Sequence, residues 1–153
     1  MPKILTLQHF GHTLTENELE EALKTRSAEY FSSIMDKDVI LIAEVNTTLK
    51  GFIQFGHPSY KDLSFEKGDI ELKKVYVDQA FQGQGVGKQL MEAMLTHSLV
   101  KSARNIYLDV FTENDKAINM YKKFGFEIIG KTPFEINDKI LGYDLLMKKE
   151  NGS

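Results

Sequence analysis

Three glycines alternate in Gln82-Gly83-Gln84-Gly85-Val86-Gly87-Lys88, shortly after the apolar run Val75-Tyr76-Val77. A strand that runs into alternating glycines and then into a helical pattern builds an anion site. Without Cβ atoms the backbone N–H groups stay uncovered, and the positive end of the helix dipole adds to them. Lys88, in the first turn, brings a full charge. A phosphate or a pyrophosphate is the ligand such a cradle takes, and the spacing narrows the choice. A Walker A loop needs glycine where Gln82 stands, and Ser or Thr after the lysine, where this chain has Gln89. The dinucleotide fingerprint needs glycine at Lys88 if read from Gly83, and at Leu90 if read from Gly85. Neither fits.

What fits is Gln/Arg-x-x-Gly-x-Gly/Ala after a strand of the Val-Tyr-Val type, here Gln82 to Gly87. That pattern resembles motif A of the GNAT superfamily of N-acetyltransferases. A second block, Asn114-Asp115-Lys116-Ala117-Ile118-Asn119-Met120-Tyr121-Lys122-Lys123-Phe124-Gly125-Phe126, is similar to the superfamily's Asn-x-x-Ala-x-x-x-Tyr-x-x-x-Gly-Phe. Ala117, Tyr121 and Phe124 fall at i, i+4 and i+7 and so share one helix face. The resemblance covers Leu72 to Gly130. More weakly, Gly130 to Met147 resembles the bacterial polyamine (spermidine/spermine) acetyltransferases.

The resemblance implies an enzyme that moves acetyl from acetyl-CoA onto a primary amine, with no metal. The acceptor would be a small molecule such as a polyamine, or a protein lysine or N-terminus. Coenzyme A would lie against Val75, Tyr76 and Val77, with its pyrophosphate on Gln82, Gly83, Gln84, Gly85, Val86, Gly87 and Lys88. Asn114 would contact the pantetheine arm or order nearby water, Ala117 would belong to the cofactor site, and the Tyr121 hydroxyl would point at the sulfur. Glu71, six residues before Val77, takes the place of the general base, with Asp69 and Glu66 as fallbacks acting through water. The alternative is a non-catalytic acyl-CoA-binding regulatory module on the same fold, which would have no use for Glu71 and Tyr121. A homodimer is the superfamily's habit.

The elements that must position these residues follow from periodicity. Lys3–Gln8 alternates as a strand. Thr15 with Glu18 forms a capping box ahead of one helix, and Ser27 to Met35 presents Tyr30, Phe31 and Ile34 on the side of another. Strands follow at 39–45, 49–55 and 69–77, with a polar loop over 58–68. A helix from Gly85 to about Ala103 carries Val86, Leu90, Ala93, Met94 and His97 at helical spacing. Then come a strand over 106–111, a helix over 115–124 and strands over 126–130 and 140–147. A meander that passes into strand–helix alternation predicts an α/β (α+β) fold, and the resemblance makes it the GNAT fold. Its mixed central sheet has about seven strands and is flanked by about four helices.

The 153 residues make one domain over 1–150, with Asn151-Gly152-Ser153 a frayed, disordered tail. The 42% hydrophobic and 27% charged residues are ordinary for a globular chain. With no cysteine, disulfides, thiolate zinc sites and a cysteine acyl-enzyme are excluded. A net charge of -3 speaks against nucleic acid as partner. No stretch has the length and apolarity of a membrane span or the order of a signal peptide, so the expected location is the cytoplasm. His9 and His12 flank Phe10-Gly11 without acidic neighbours and do not read as a metal site. His57 ahead of Pro58 is a second-base candidate, whereas His97 reads as a satisfied core residue.

Overall fold

A computed structural model describes residues 3–7, 38–46, 48–60 and 63–151. Seven strands are present: β1 (Lys3–Leu7), β2 (Asp38–Val45), β3 (Thr48–Gly56), β4 (Ile70–Val77), β5 (Asn105–Val110), β6 (Glu127–Ile136) and β7 (Lys139–Glu150). Among the described residues the helices are α1 (Val86–Thr96), α2 (Ser98–Lys101) and α3 (Asp115–Lys123), with a short 3-10 turn at Gln79–Phe81. The helices expected from Thr15 and over Ser27–Met35 lie outside the described residues, as do His9 and His12. The strand order is β1-β2-β3-β4-β5-β7-β6. β4 and β5 run parallel, whereas β1–β2, β2–β3, β5–β7 and β6–β7 are antiparallel, so the sheet is mixed as expected. No helix among the described residues is long and apolar enough to cross a membrane.

Two compact units share the chain, one comprising Met1–His57 with Leu72–Lys101, the other Pro58–Glu71 with Ser102–Ser153. In the first, Ile40, Leu41, Ile42 and Ala43 of β2 are all buried, so this strand is covered on both faces and reads as a continuous apolar run. Helix α1 packs on β2 and β3. Its Leu90, Met91 and Met94 are fully buried, as are Phe52, Ile53 and Phe55 of β3. Each such side chain contributes roughly 1.5–3 kcal/mol on leaving water. The helix expected to run to Ala103 breaks at His97, which turns to an extended ψ of 139°. The His97 ring packs edge-on to Phe55 at 5.3 Å, and its Nδ1 accepts from the Leu99 amide at 3.2 Å. It is satisfied, as the sequence suggests.

In the second unit Ile106, Leu108, Val110, Ile118, Phe126, Leu146 and Met147 form the core. Asp69 is 2% exposed and ties its segments together. Its carboxylate accepts from the Glu66 amide at 2.8 Å and from the Asn105 amide at 3.2 Å and Asn105 Nδ2 at 3.3 Å. β6 starts one residue later than expected but runs on to Ile136, β7 covers Lys139–Glu150 against the expected 140–147, and the hairpin turns at Asn137 and Asp138 with φ of 51° and 64°. Two consecutive positive φ values are the signature of a type I′ turn, which suits this pair of residue types.

Candidate active site

In the first unit, the chain leaves β4 through a turn that is fastened on several sides. The Asp78 amide donates to the Lys50 carbonyl at 2.7 Å, and the Asp78 carboxylate accepts from the Ala80 amide at 2.9 Å. Lys50 Nζ lies 3.7 Å from the centre of the Phe81 ring. Gln82 folds back so that its Nε2 donates to the Val77 carbonyl at 3.3 Å, and Gln84 Nε2 reaches the Ala80 carbonyl at 3.4 Å. Val75, Tyr76 and Val77 are half-buried, and the Tyr76 ring stacks on Phe52 at 5.6 Å.

Gly83 and Gly85 both take φ of 82°, and a Cβ added at either would meet nothing within 4 Å. Gly85 is the N-cap of α1 and offers no side-chain cap. An α-helix leaves its first N–H groups without intrahelical partners, which here are those of Val86, Gly87 and Lys88. Val86 is buried beneath the loop and Gly87 already belongs to the helix. Lys88 is exposed, its Nζ 4.0 Å from Glu92. Open space thus lies beside the start of this helix at both glycines.

In the second unit, Glu71 pairs with Tyr107 in the two-residue ladder of β4 with β5 and is 5% exposed. Its Oε1 accepts two hydrogen bonds from Ser59, from the amide at 2.8 Å and from Oγ at 2.7 Å. The Tyr60 hydroxyl donates to Asp109 Oδ1 at 3.0 Å. Burial, then the charges of Asp109 and Glu71 and the hydrogen bond to Asp109, push the Tyr60 phenol far above its ordinary range. The Asp144 carboxyl is raised by burial, then by its hydrogen bond to Asp109 and that residue's charge. Tyr121, half-buried on α3 and edge-on to Phe126 at 6.0 Å, is raised by burial and then by Asp109. Asp109 is thus the common neighbour of two phenols and a carboxyl.

Asn114 is the N-cap of α3, its Oδ1 accepting from the Ala117 amide at 3.3 Å, so these two motif residues fix the start of the helix that carries Tyr121. The fallback bases serve other purposes. Asp69 is consumed by the bonds given above, and Glu66 pairs with Arg104 at 3.3 Å. Sequence reasoning passes over Ser59, Tyr60, Asp109 and Asp144. Its one available signal is a carboxylate inside an apolar strand, as in Leu108-Asp109-Val110 and Tyr143-Asp144-Leu145. Among the described residues no group of three or more His, Cys, Asp or Glu could hold a metal ion.

The chain matches the acetyltransferase (GNAT) family over residues 5–126. It belongs to that family. It is 32% identical over 99 residues to the spermine/spermidine N(1)-acetyltransferase of Bacillus subtilis, a stretch covering 63% of this chain. That stretch spans 64% of the relative's length, a little under two thirds. Among solved structures, the Escherichia coli ribosomal-protein-S18-alanine N-acetyltransferase superposes with a TM-score of 0.75 at 18% identity, covering 100% of this chain and 96% of its own. A GNAT family acetyltransferase from Elizabethkingia anophelis with acetyl-CoA bound gives 0.67 at 19% identity, with coverage of 96% and 97%. The GNAT fold expected from the motifs is therefore the fold observed.

Proposed function

We propose that residues 1–150 act as one N-acetyltransferase domain that moves acetyl from acetyl-CoA to a primary amine by direct attack in a ternary complex. The observation that carries this reading is the open, uncapped helix start behind Gly83 and Gly85. Its size and polarity suit the diphosphate of coenzyme A, whose thioester supplies the acetyl group. The first-turn amides and the exposed Lys88 hold the diphosphate. Gln82 keeps the loop closed on the end of β4. Val75, Tyr76 and Val77 offer alternate peptide groups to the pantetheine arm, as a neighbouring strand would. An amide near Tyr76 and Val77 polarises the acetyl carbonyl.

An alkylammonium with pKa ~10.4 lies about 4.6 kcal/mol from its neutral form at pH 7, so a base is of real value. Glu71 is that base. Its two bonds from Ser59 fix one carboxylate oxygen and so orient the other. Tyr121 holds a proton on its phenol oxygen for the leaving sulfur. Ordinary thiol and phenol values make that donation uphill by roughly 2 kcal/mol, and burial of Tyr121 steepens it. With no cysteine in the sequence, transfer through a thioester on the protein has no nucleophile.

The acceptor we favour is a small polyamine, in line with the name of the Bacillus subtilis relative. Protein lysines and N-termini form the second group to test. A thiol-release assay across spermidine, spermine, monoamines and lysine- or amine-ended peptides decides. Turnover with at least one amine, and intersecting initial-rate lines, are expected. Coenzyme A binding by calorimetry with no turnover on any amine would instead mark a non-catalytic acyl-CoA-binding module.

A further inference from the structure

We infer that Ser59 is a catalytic residue, its hydroxyl receiving the acceptor's proton as it hands its own to Glu71. This deepens the function proposed above and rests on Glu71 being its base. Glu71 is nearly fully buried, whereas Ser59 is exposed. Ser59 Oγ donates to Glu71 Oε1 at 2.7 Å, a short hydrogen bond onto a carboxylate. With that proton committed inward, the lone pairs of Oγ are left for a donor arriving from outside. An alkylammonium is such a donor. The neighbouring residue, Tyr60, donates to Asp109 at 3.0 Å, and Asp109 is exposed. An exposed carboxylate tied to the next residue draws a cation towards this stretch of the chain. The buried base thus reaches the surface through one hydroxyl.

The step balances without an alkoxide. One N–H bond of the ammonium breaks and its proton moves to Ser59 Oγ, while the Ser59 O–H proton moves to Glu71 Oε1. The electron pair of the broken N–H bond stays on nitrogen, which is then free to attack the acetyl carbonyl. Glu71 ends as the neutral acid and Ser59 as the hydroxyl it was. The return uses the same bond, with Oγ releasing a proton to water as Glu71 gives its own back. The two shifts are concerted, because an aliphatic alcohol is a far weaker acid than an ammonium. The Ser59 amide also donates to Oε1, at 2.8 Å. That second bond belongs to the backbone, so it does not depend on the side chain at 59.

The test compares Ser59→Ala, Ser59→Thr and Glu71→Gln in the full chain, using the best amine from the panel. Ser59→Ala keeps the backbone bond to Oε1 and loses only the hydroxyl, which separates proton transfer from mere positioning. It should lower kcat about tenfold, part of the 10²–10⁴ typical of acid–base catalysis, with both KM values within about twofold. Ser59→Thr restores a hydroxyl and should bring kcat back to within about threefold of wild type. The wild-type solvent deuterium effect on kcat should show a curved proton inventory that becomes linear in Ser59→Ala. Added to Glu71→Gln, Ser59→Ala should cost nothing further. Wild-type kcat in Ser59→Ala, an unchanged proton inventory there, no rescue by Ser59→Thr, or losses that multiply would overturn the transfer through Ser59. If Ser59→Ala does not fold, Ser59→Gly, which keeps the same amide, decides in its place. Glu71→Gln separates the two proposals. If it is as active as wild type, the base assignment fails and the part of Ser59 with it. If it is inactive while Ser59→Ala keeps full activity, the amine meets Glu71 directly and the inference on Ser59 alone fails.

Discussion

Tyr121 is kept a phenol by burial and by the charge of Asp109, both of which disfavour its ionised form. It therefore holds its proton through neutral and mildly alkaline pH, at the cost of being a weaker donor. Tyr121→Phe should lower kcat about tenfold to a hundredfold while coenzyme A affinity stays within about twofold, by steady-state kinetics and calorimetry. Any alkaline limb of the wild-type rate profile due to this phenol should lie above ~10 and be missing in the variant. Asp144 makes a prediction of stability. Its folded pKa is raised above the ordinary 3.8, so its favourable contribution is complete below that value and is lost as pH rises through the folded one. Once ionised, Asp144 weakens the fold. Asp144→Asn should raise the melting temperature at pH 7 and leave it unchanged at pH 3, and equal shifts at both would refute the linkage. Tyr121 stands inside a contiguous motif and Glu71 on the strand that leads into the other, so the sequence alone proposes both. Ser59, Tyr60, Asp109 and Asp144 are not legible there, because their partners stand 12 and 49 residues away for the first two, and only strand register brings such residues together.

At the level of elements, two glycines carry different loads. Gly85 has a φ of 82° and open space before it, so Gly85→Val both strains the backbone, by about 1–2 kcal/mol, and fills the cradle. Gly68 has a φ of 89° and equally open surroundings in the 58–69 loop, so Gly68→Val repeats the strain without touching the cradle. Coenzyme A affinity should fall at least about tenfold in the first and hold in the second, by calorimetry. Gly51 answers a packing need. A Cβ there would stand 2.5 Å from the Tyr76 carbonyl oxygen and 3.3 Å from Leu90 and Val86 side chains. A backbone oxygen cannot move aside cheaply, so Gly51→Ala should cost about 1–3 kcal/mol in urea unfolding. Each strand expected within the described residues is found, because apolar alternation and turn residues record a strand wherever one face is buried. Ends are less legible. His97 ends α1 early, because its side chain finds Phe55 and the Leu99 amide instead of another helical turn. β6 extends past the expected 130 to exposed Ile136, where pairing rather than burial defines the strand.

At the scale of the whole molecule, a bound coenzyme shows itself as stability. A ligand that binds only the folded state stabilises it by RT ln(1 + [L]/Kd), about 2.7 kcal/mol at a hundred times Kd. For a chain of this length that corresponds to a rise in melting temperature of roughly 5–10 °C. Acetyl-CoA should produce it, and Gly85→Val should lose most of it at the same concentration, since its cradle is filled. A polyamine alone meets no glycine cradle and should shift the melting temperature far less. Direct transfer adds a second requirement for the intact protein. Incubated with acetyl-CoA and no amine, then freed of small molecules, the chain should show its unmodified mass, because it has no cysteine to acylate. A chain that gains an acetyl group and passes it to an added amine would replace the ternary complex with a covalent route. A chain whose melting temperature ignores acetyl-CoA would remove the anion cradle from the argument altogether.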